Sequence, residues 1–397
     1  MNTPPIQAYL REHEEEDVGA LVLKQREILG IPTQLIAQQL IGRRKAREKL
    51  PSWYKTEGII YPPSISLEQC SSEATATLKQ RLFSEFISHP KRCVDLTGGL
   101  GVDSYYLSRY FPITEYVEPN EELFTIACHN HKILGASINH HLSAAEDFLK
   151  SNRDAFDLIF LDPSRRDTNS RKVVKLTDCI PSVVEMQAAL LKISPYLAVK
   201  TSPLLDIQQG LRELIHVKRV VVVAVQNECK EVLFLSEREF DGSPVLEAID
   251  LSSSGSILFR FTFTWVEEKD SGVHFSEPLR YLYEPSAALL KSGAYKLIGQ
   301  RWNLLKLASN THLYTSHDLV DRFQGRVFEL VALNPPADAI RELTGGYANV
   351  ITRNYPVSSE DLKKQLRLKD GGHHYLIGFS SQQKKHLAIC RRFTDSF

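Results

Sequence analysis

The chain has no uninterrupted apolar run near the ~20 residues that a helix needs to cross a bilayer, so no membrane span is expected. It has no excess of either charge, with 48 Lys and Arg against 48 Asp and Glu. A protein that coats nucleic acid without sequence preference is usually basic overall, so that class is disfavoured, although a local basic face is not. The six cysteines (Cys70, Cys93, Cys128, Cys179, Cys229 and Cys390) include no CxxC pair and no nearby His cluster. Their scatter argues against a disulfide framework and a structural zinc site, predicts no metal, and fits a reduced cytoplasm. The opening residues, MNTPPIQAYLREHEEED, are polar and acidic and do not read as a secretory signal. Neither GxGxxG nor GxxxxGK[ST] occurs, which removes the fingerprints of dinucleotide folds and phosphate loops. No internal repeat or low-complexity stretch is visible.

What remains is an ordinary globular composition, 43% hydrophobic and 24% charged over 397 residues, enough for two to four domains. Charge is unevenly placed. Residues 12–17 read EHEEED, Arg43, Arg44, Lys45, Arg47 and Lys49 crowd one run, and the end is basic through Lys363, Lys364, Arg367, Lys369, Lys384, Lys385, Arg391 and Arg392. Each run reads either as a solvated face or as a local binding face.

Residues 18–50 carry helical patterning, with Pro32 opening a second helix near its first turn, and Ser71 or Ser72 is an N-cap for a helix reaching about Ser88. Residues 1–88 thus read as a helical N-terminal region. From residue 91 strands and helices alternate: KRCVDLT, ITEYVEP, INHHLSA, FDLIFLDP and YLAVKTSP are strands separated by helices, the pattern of a parallel, doubly wound α/β sheet. VKRVVVVAVQ and KEVLFLSER then flank a short turn at Asn227-Glu228-Cys229, which favours an antiparallel hairpin, and SILFRFTFTW is one more strand. This sheet domain spans residues 89–268. Beyond Lys269 a separate unit is expected, and from about Phe323 strand, helix, strand, helix, strand describe a small α/β domain.

Chemistry collects where strands end. Val94 to Asp103 (VDLTGGLGVD) joins the first strand to a helix through glycines, which let the backbone turn sharply and approach a ligand. This segment resembles the first motif of class I S-adenosylmethionine (SAM) methyltransferases, with Asp95, Thr97, Gly98, Gly99, Gly101 and Asp103 around the methionine end of the cofactor. A bare strand-helix turn is the other reading. Glu118-Pro119 closes the next strand, about twenty residues on, where an acid accepts both hydroxyls of a ribose. The adenine contact should follow the third strand, where the family's usual Asp is Ala and Glu146 and Asp147 come just after; either acid is equally suited to a first-turn helix charge.

The fourth strand delivers Asp162-Pro163-Ser164-Arg165-Arg166-Asp167 to the sheet's carboxyl edge, and Pro163 stiffens the exit. It resembles the DPP or NPP motif of nucleic-acid methyltransferases. Methyl transfer needs an aligned lone pair and an acceptor for any proton shed, a task for which Asp162 is placed. Arg165 and Arg166 would hold a substrate phosphate or carboxylate through paired donors, or else pair with Asp167. Ser164 and Arg165 stand where amino-methylating enzymes carry an aromatic residue, which weakens an adenine-N6 target. No cysteine stands beside Val199-Lys200-Thr201-Ser202-Pro203, so a covalent mechanism is disfavoured. Asn227 and Lys230, in the turn after the sixth strand, are substrate-side candidates or plain hairpin residues. The Glu68–Glu73 segment either folds over the cofactor or only caps a helix.

VDLTGGLGVDS, YVEPN, FLDPSRRD, AVQNECKE, EPSAALLKSGAY with NTHLYTS, and RNYPVSSEDLKKQLRLKDGGHHYLIGFS together resemble a bacterial family of class I SAM-dependent methyltransferases with a THUMP-like C-terminal domain. The resemblance runs from about residue 30 onwards. It implies a Rossmann-like seven-stranded sheet, parallel with an antiparallel last strand, a small ferredoxin-like unit at 269–320 and a THUMP-like domain at 321–397. It also implies SAM as cofactor, direct in-line transfer to a base in RNA (tRNA or rRNA), and RNA bound through the basic C-terminal domain. A methyltransferase for a small molecule or protein, with a structural C-terminal domain, and a non-enzymatic SAM-fold binding module are the alternatives.

Overall fold

The computed structural model describes residues 3–165 and 175–393. The chain divides into two compact units, one of Met1–Gln226, Lys230–Pro244 and Leu251–Leu258, the other of Asn227–Cys229, Val245–Asp250 and Phe259–Phe397.

The first unit opens with helices α1 (Pro4–Glu12), α2 (Val18–Lys24), α3 (Thr33–Lys49), α4 (Pro51–Lys55), α5 (Ser64–Gln69) and α6 (Glu73–Ser84). The expected all-helical region is interrupted by one short hairpin, Glu27–Ile28 with Ile31–Pro32. Pro32 precedes α3, where its missing N–H is no loss. The acidic and basic runs of this region neutralise one another rather than forming two solvated faces. Glu14, 6% exposed, receives Arg43 at 3.2 Å and Arg47 at 2.6 Å. Glu15 takes Arg47 at 2.5 Å, and Arg44 bonds the Glu14 and Glu16 carbonyls.

Alternation then builds β1 (Arg92–Asp95), α7 (Val102–Ser108), β2 (Ile113–Glu118), α8 (Glu121–Ile133), β3 (Asn139–Leu142), α9 (Ala145–Ser151), β4 (Leu158–Leu161), α10 (Val183–Ile193), β5 (Tyr196–Thr201), α11 (Ile207–Glu213), β6 (Val217–Val225) and β7 (Glu228–Glu237). Seven strands of the sheet run in the order β6-β7-β5-β4-β1-β2-β3. β5, β4, β1, β2 and β3 are mutually parallel, and β7 pairs antiparallel with β5 from Val232↔Thr201 to Glu237↔Tyr196. The last strand in chain order therefore inserts between β5 and β6 instead of adding at an edge. The turn that allows this is Gln226–Asn227, one residue earlier than its sequence suggests, with φ of 51° and 64°. Two left-handed residues give the tight hairpin twist that a two-residue loop requires.

β1 and β4 are almost wholly buried, as strands covered on both faces must be. The N-terminal helices are part of this packing. Trp53, Tyr61, Leu67 and Ala76 share one core cluster with Leu100 of the β1–α7 connection, Val102 and Tyr106 of α7 and Ile126 of α8.

The second unit holds most of β8 (Val245–Leu251) and β9 (Ile257–Thr264), the former not recognised in the sequence. There follow α12 (Trp265–Asp270), β10 (Tyr281–Pro285), α13 (Ala287–Ser292), α14 (Tyr295–Arg301), β11 (Leu305–Ala308), β12 (Thr311–Ser316), β13 (Gly325–Leu333), α15 (Ala337–Thr344), β14 (Asn349–Arg353), α16 (Ser359–Gln365), β15 (His374–Ser380) and β16 (Lys385–Phe393). A seven-stranded sheet runs β11-β12-β10-β13-β16-β15-β14. β14 and β15 are parallel, as the α16 crossover between them demands, and the other pairings are antiparallel.

No helix among the described residues is long and apolar enough to cross a membrane.

Candidate active site at the sheet's carboxyl edge

The glycine turn is held from inside. Asp95, 1% exposed, accepts the Thr97 N–H at 3.0 Å on one oxygen and the Ser104 hydroxyl at 2.6 Å on the other, tying the start of the turn to the first turn of α7. Burial, with the nearby carboxylates of Asp103 and Asp162, pushes its carboxyl up to about 7 against these two hydrogen bonds. Gly101 has φ 81°, and a Cβ there would lie 2.5 Å from the His131 ring. The position accepts no larger residue for two independent reasons. His131 in turn donates from Nε2 to the Gly101 carbonyl at 2.8 Å, which leaves Nδ1 to accept from His140 Nε2, also at 2.8 Å. Burial holds His131 down at about 4, so it stays neutral.

Glu118, at the end of β2, is 8% exposed and grips the outside of the same turn. One oxygen accepts the Gly99 N–H and the other the Asn120 N–H, both at 2.8 Å. A carboxylate has about four lone-pair sites, so two remain for a pair of hydroxyls. Beside Gly99 the space is open, since a Cβ built there meets only the Thr97 carbonyl, at 3.9 Å. Backbone, acid and open space fit a SAM cofactor, which Glu118 would hold by the ribose and the Gly98–Gly101 backbone along the methionine end. Pro119 is exposed beside Glu118. Glu146 and Asp147 are exposed in the first turn of α9, and Asp147 pairs with Lys150 at 2.8 Å.

Asp162 follows β4, and its N–H donates to the Thr97 hydroxyl at 2.6 Å, joining the two strand ends. Its carboxylate leads into a buried network that sequence reasoning missed. Lys200 of β5, 6% exposed, reaches Asp162 Oδ2 at 2.5 Å, the Ser71 hydroxyl at 3.0 Å and Asp103 Oδ2 at 3.5 Å. Lys79 of α6, 2% exposed, reaches Asp103 Oδ1 at 3.0 Å, Glu231 at 2.8 Å and Ser71 at 3.0 Å. Ser71 donates to Asp103 Oδ2 at 2.7 Å. Asp103, expected at the cofactor, thus points its carboxylate into this network. Both its lysines hold it below the usual carboxylate range in spite of burial. Asp162 stands higher than usual because burial outweighs Lys200, while Lys200 is held firmly protonated by Asp162, Asp103 and Glu231 despite its own burial.

The missed residues did leave a trace. Lys79 falls on the buried stripe of α6 with Thr75, Leu78 and Leu82, and Lys200 follows the apolar run Leu197-Ala198-Val199 of its strand. A charge where the pattern demands an apolar side chain implies a buried partner, but does not say which.

The segment before α6 joins the site. Ser72 is the N-cap, accepting the Thr75 N–H, which frees Ser71 for the lysines. Lys49 donates to the Glu68 carbonyl at 2.6 Å, and burial with the ammonium groups of Lys200 and Lys230 pushes it down. Lys230 is exposed at the start of β7 in this cationic company. Cys70 is no nucleophile, because burial raises its thiol to about 11. Asn227 belongs to the second unit, where its side-chain oxygen accepts the Ala287 N–H at 2.7 Å. Pro163 is half-buried. The backbone of Ser164 and Arg165 pairs with Cys179 and Ile180. Arg166 lies outside the described residues, as does the Arg165 side chain.

Residues 281–323 match a ferredoxin-like domain model and residues 326–392 a THUMP domain-like model. No curated protein matches. Among solved structures, a Porphyromonas gingivalis W83 protein assigned as a methyltransferase aligns with TM-score 0.84 and 30% identity, covering 98% of each chain. An rRNA methylase from Streptococcus thermophilus aligns with TM-score 0.32 and 15% identity over 41% of this chain and 94% of its own. A Streptococcus mutans protein assigned as a methyltransferase, solved with S-adenosylhomocysteine, gives TM-score 0.32 and 13% identity over 41% and 96%. The first of these likenesses extends over both units in sequence as well as in fold, and the chain belongs to the class I SAM-dependent methyltransferases that carry a THUMP-like C-terminal domain, with SAM as their cofactor.

Proposed function

We propose that this protein methylates a base in RNA by direct in-line transfer. The bound cofactor supplies a methyl group on a sulfonium, which is electrophilic without further activation. The chain's own contribution is to seat that group on the β1–α7 turn with Glu118 and to present Asp162 beside it. Asp162 accepts the hydrogen bond of the attacking group and takes the proton it releases, work that contributes on the order of 10²–10⁴ in rate.

One observation carries the RNA part of this reading: a basic rim with an exposed aromatic ring at one end of the second unit's sheet. Tyr347 is 47% exposed, bridges in parallel to Lys369, and has that residue's ammonium 5.9 Å from its ring centroid. Register sets His374 opposite Arg391, and His373, Arg391 and Arg392 are exposed beside them. Burial, then the charges of Arg391 and His373, hold His374 below its ordinary value. Cations to follow a phosphate backbone and a ring on which a base can stack are what single-stranded RNA requires.

The test is to incubate the purified protein with methyl-labelled SAM and either total RNA or an RNA-free extract. Label in RNA is expected, traceable by mass spectrometry to one modified nucleoside. Label entering only the RNA-free extract overturns the proposal.

A further inference from the structure

The network behind Asp162 has a job that stability does not explain. Buried ion pairs are costly to desolvate, and well-packed apolar residues commonly stabilise a core as well. Here two ammonium groups, three carboxylates and a hydroxyl from six different segments converge, and one corner opens outward. Lys200 has three N–H donors and three acceptors around it: Asp162, Ser71 and Asp103. Lys79 completes the frame, held by Asp103, Glu231 and Ser71, and fixes the groups that fix Lys200.

The consequence falls on Asp162, whose side chain is 35% exposed whereas that of Lys200 is 8% exposed. Its backbone is pinned by Thr97 and its Oδ2 by Lys200. Among the described residues Oδ1 has no hydrogen-bond partner. We infer that Lys200 is a positioning residue for methyl transfer: its ammonium occupies Oδ2 of Asp162, holds the carboxylate in one orientation and favours its ionised form, and leaves Oδ1 as the acceptor for the hydrogen of the attacking group. This rests on the reading of Asp162 as that acceptor. It adds a chemical restriction, because a single ionised acceptor selects an attacking atom that carries hydrogen, an N–H or O–H. The charged groups facing Asp162 are Lys200 from β5, Asp103 and Lys79 from α7 and α6, and Asp95 from β1. Removing the Lys200 charge leaves Asp103 and Asp95 to repel the carboxylate, so Asp162 then takes up a proton more readily.

Asp162 can be observed without any reaction, by carbon NMR of the full-length protein labelled at aspartate carboxyls, with Asp162→Asn assigning its signal. In Lys200→Met the midpoint of that signal is expected to rise by about one pH unit or more, a tenfold change in proton affinity. Lys200→Arg should stay near the parent. In the methylation assay the acidic limb of the kcat profile should move upward by the same amount, kcat on that limb should fall about tenfold for each unit of the shift, and affinity for SAM by calorimetry should be unchanged. Should Lys200→Met fold poorly, Lys200→Gln retains donors for Asp162 and Ser71 without the charge and makes the same comparison. A midpoint that does not move overturns the inference, as does lost activity with an unmoved acidic limb. A moved midpoint in a protein that methylates no RNA supports the role of Lys200 and overturns the RNA reading alone.

Discussion

Two buried titratable side chains brace the glycine turn, and their pH dependences have opposite signs. Asp95 rises from 3.8 to about 7 on folding, so the folded state favours its proton. Its contribution to stability is complete below about pH 4 and is lost as pH climbs through about 7. His131 falls from 6.5 to about 4, so the folded state favours its neutral form. Its contribution is complete above about pH 6.5 and is lost as pH falls through about 4. In the parent protein the two slopes offset each other between pH 4 and 6.5. Asp95→Asn keeps an acceptor for the Thr97 N–H and removes one slope, so its unfolding midpoint in urea, relative to the parent, should improve steadily as pH rises from 4 to 7. Parallel midpoint curves for the two proteins would refute this. At this scale the sequence was partly legible. Asp95, Glu118 and Asp162 end their strands, and strand ends announce themselves in the apolar runs before them. The partners of Asp95 and Asp103 were hidden, because their carboxylates meet Ser104, Ser71, Lys79 and Lys200. Pairing across such chain distances leaves no local pattern.

Elements were read more reliably than side-chain pairings. Alternating strands and helices gave the parallel sheet because each strand carries its own apolar run and each helix its own stripe. The insertion of β7 between β5 and β6 was not legible, since a hairpin signal specifies pairing with the neighbour in sequence and says nothing of the strand on the other side. The charge runs at 12–17 and 43–49 were ambiguous for a similar reason, and only their mutual pairing decides it. α6 shows how finely an element can divide its tasks. Ser72 accepts the Thr75 N–H at 3.2 Å and caps the helix, while Ser71, one residue earlier, serves both lysines and Asp103. Ser72→Ala should therefore cost about 1 kcal/mol, the usual loss of an N-cap, seen as a melting temperature lower by about 2–4 °C for a unit of this size. Ser71→Ala should cost more, roughly 1–3 kcal/mol for partners left unsatisfied in a buried site, and should also slow methyl transfer by loosening Lys200. Equal losses of stability and activity in the two variants would contradict this division.

The molecule as a whole assigns its two problems to two units. In the proposed reaction the first seats the cofactor and the acceptor carboxylate, and none of the six residues in the buried network belongs to the second. In the second, the stretches matching the ferredoxin-like and THUMP-like models share one sheet through β10 and β13, so neither contains a complete sheet of its own. The basic end was legible as a run of charge despite zero net charge over the chain, whereas the ring of Tyr347 that the fold sets beside Lys369 was not. If the rim grips RNA, its parts should separate by the physics of each. Replacing Lys369, Arg391 and Arg392 with Gln removes phosphate partners. It should weaken RNA binding uniformly across sequences and flatten the dependence of log Kd on log salt by roughly one for each cation replaced. Tyr347→Ala removes a stacking surface. It should cost about 1–3 kcal/mol of RNA affinity and leave the salt slope unchanged. Neither set touches the glycine turn, so SAM affinity by calorimetry should hold in both. Fluorescence titrations with labelled RNA at several salt concentrations distinguish the two signatures. RNA affinity equal to the parent's in both sets would place the RNA-binding surface somewhere other than this rim.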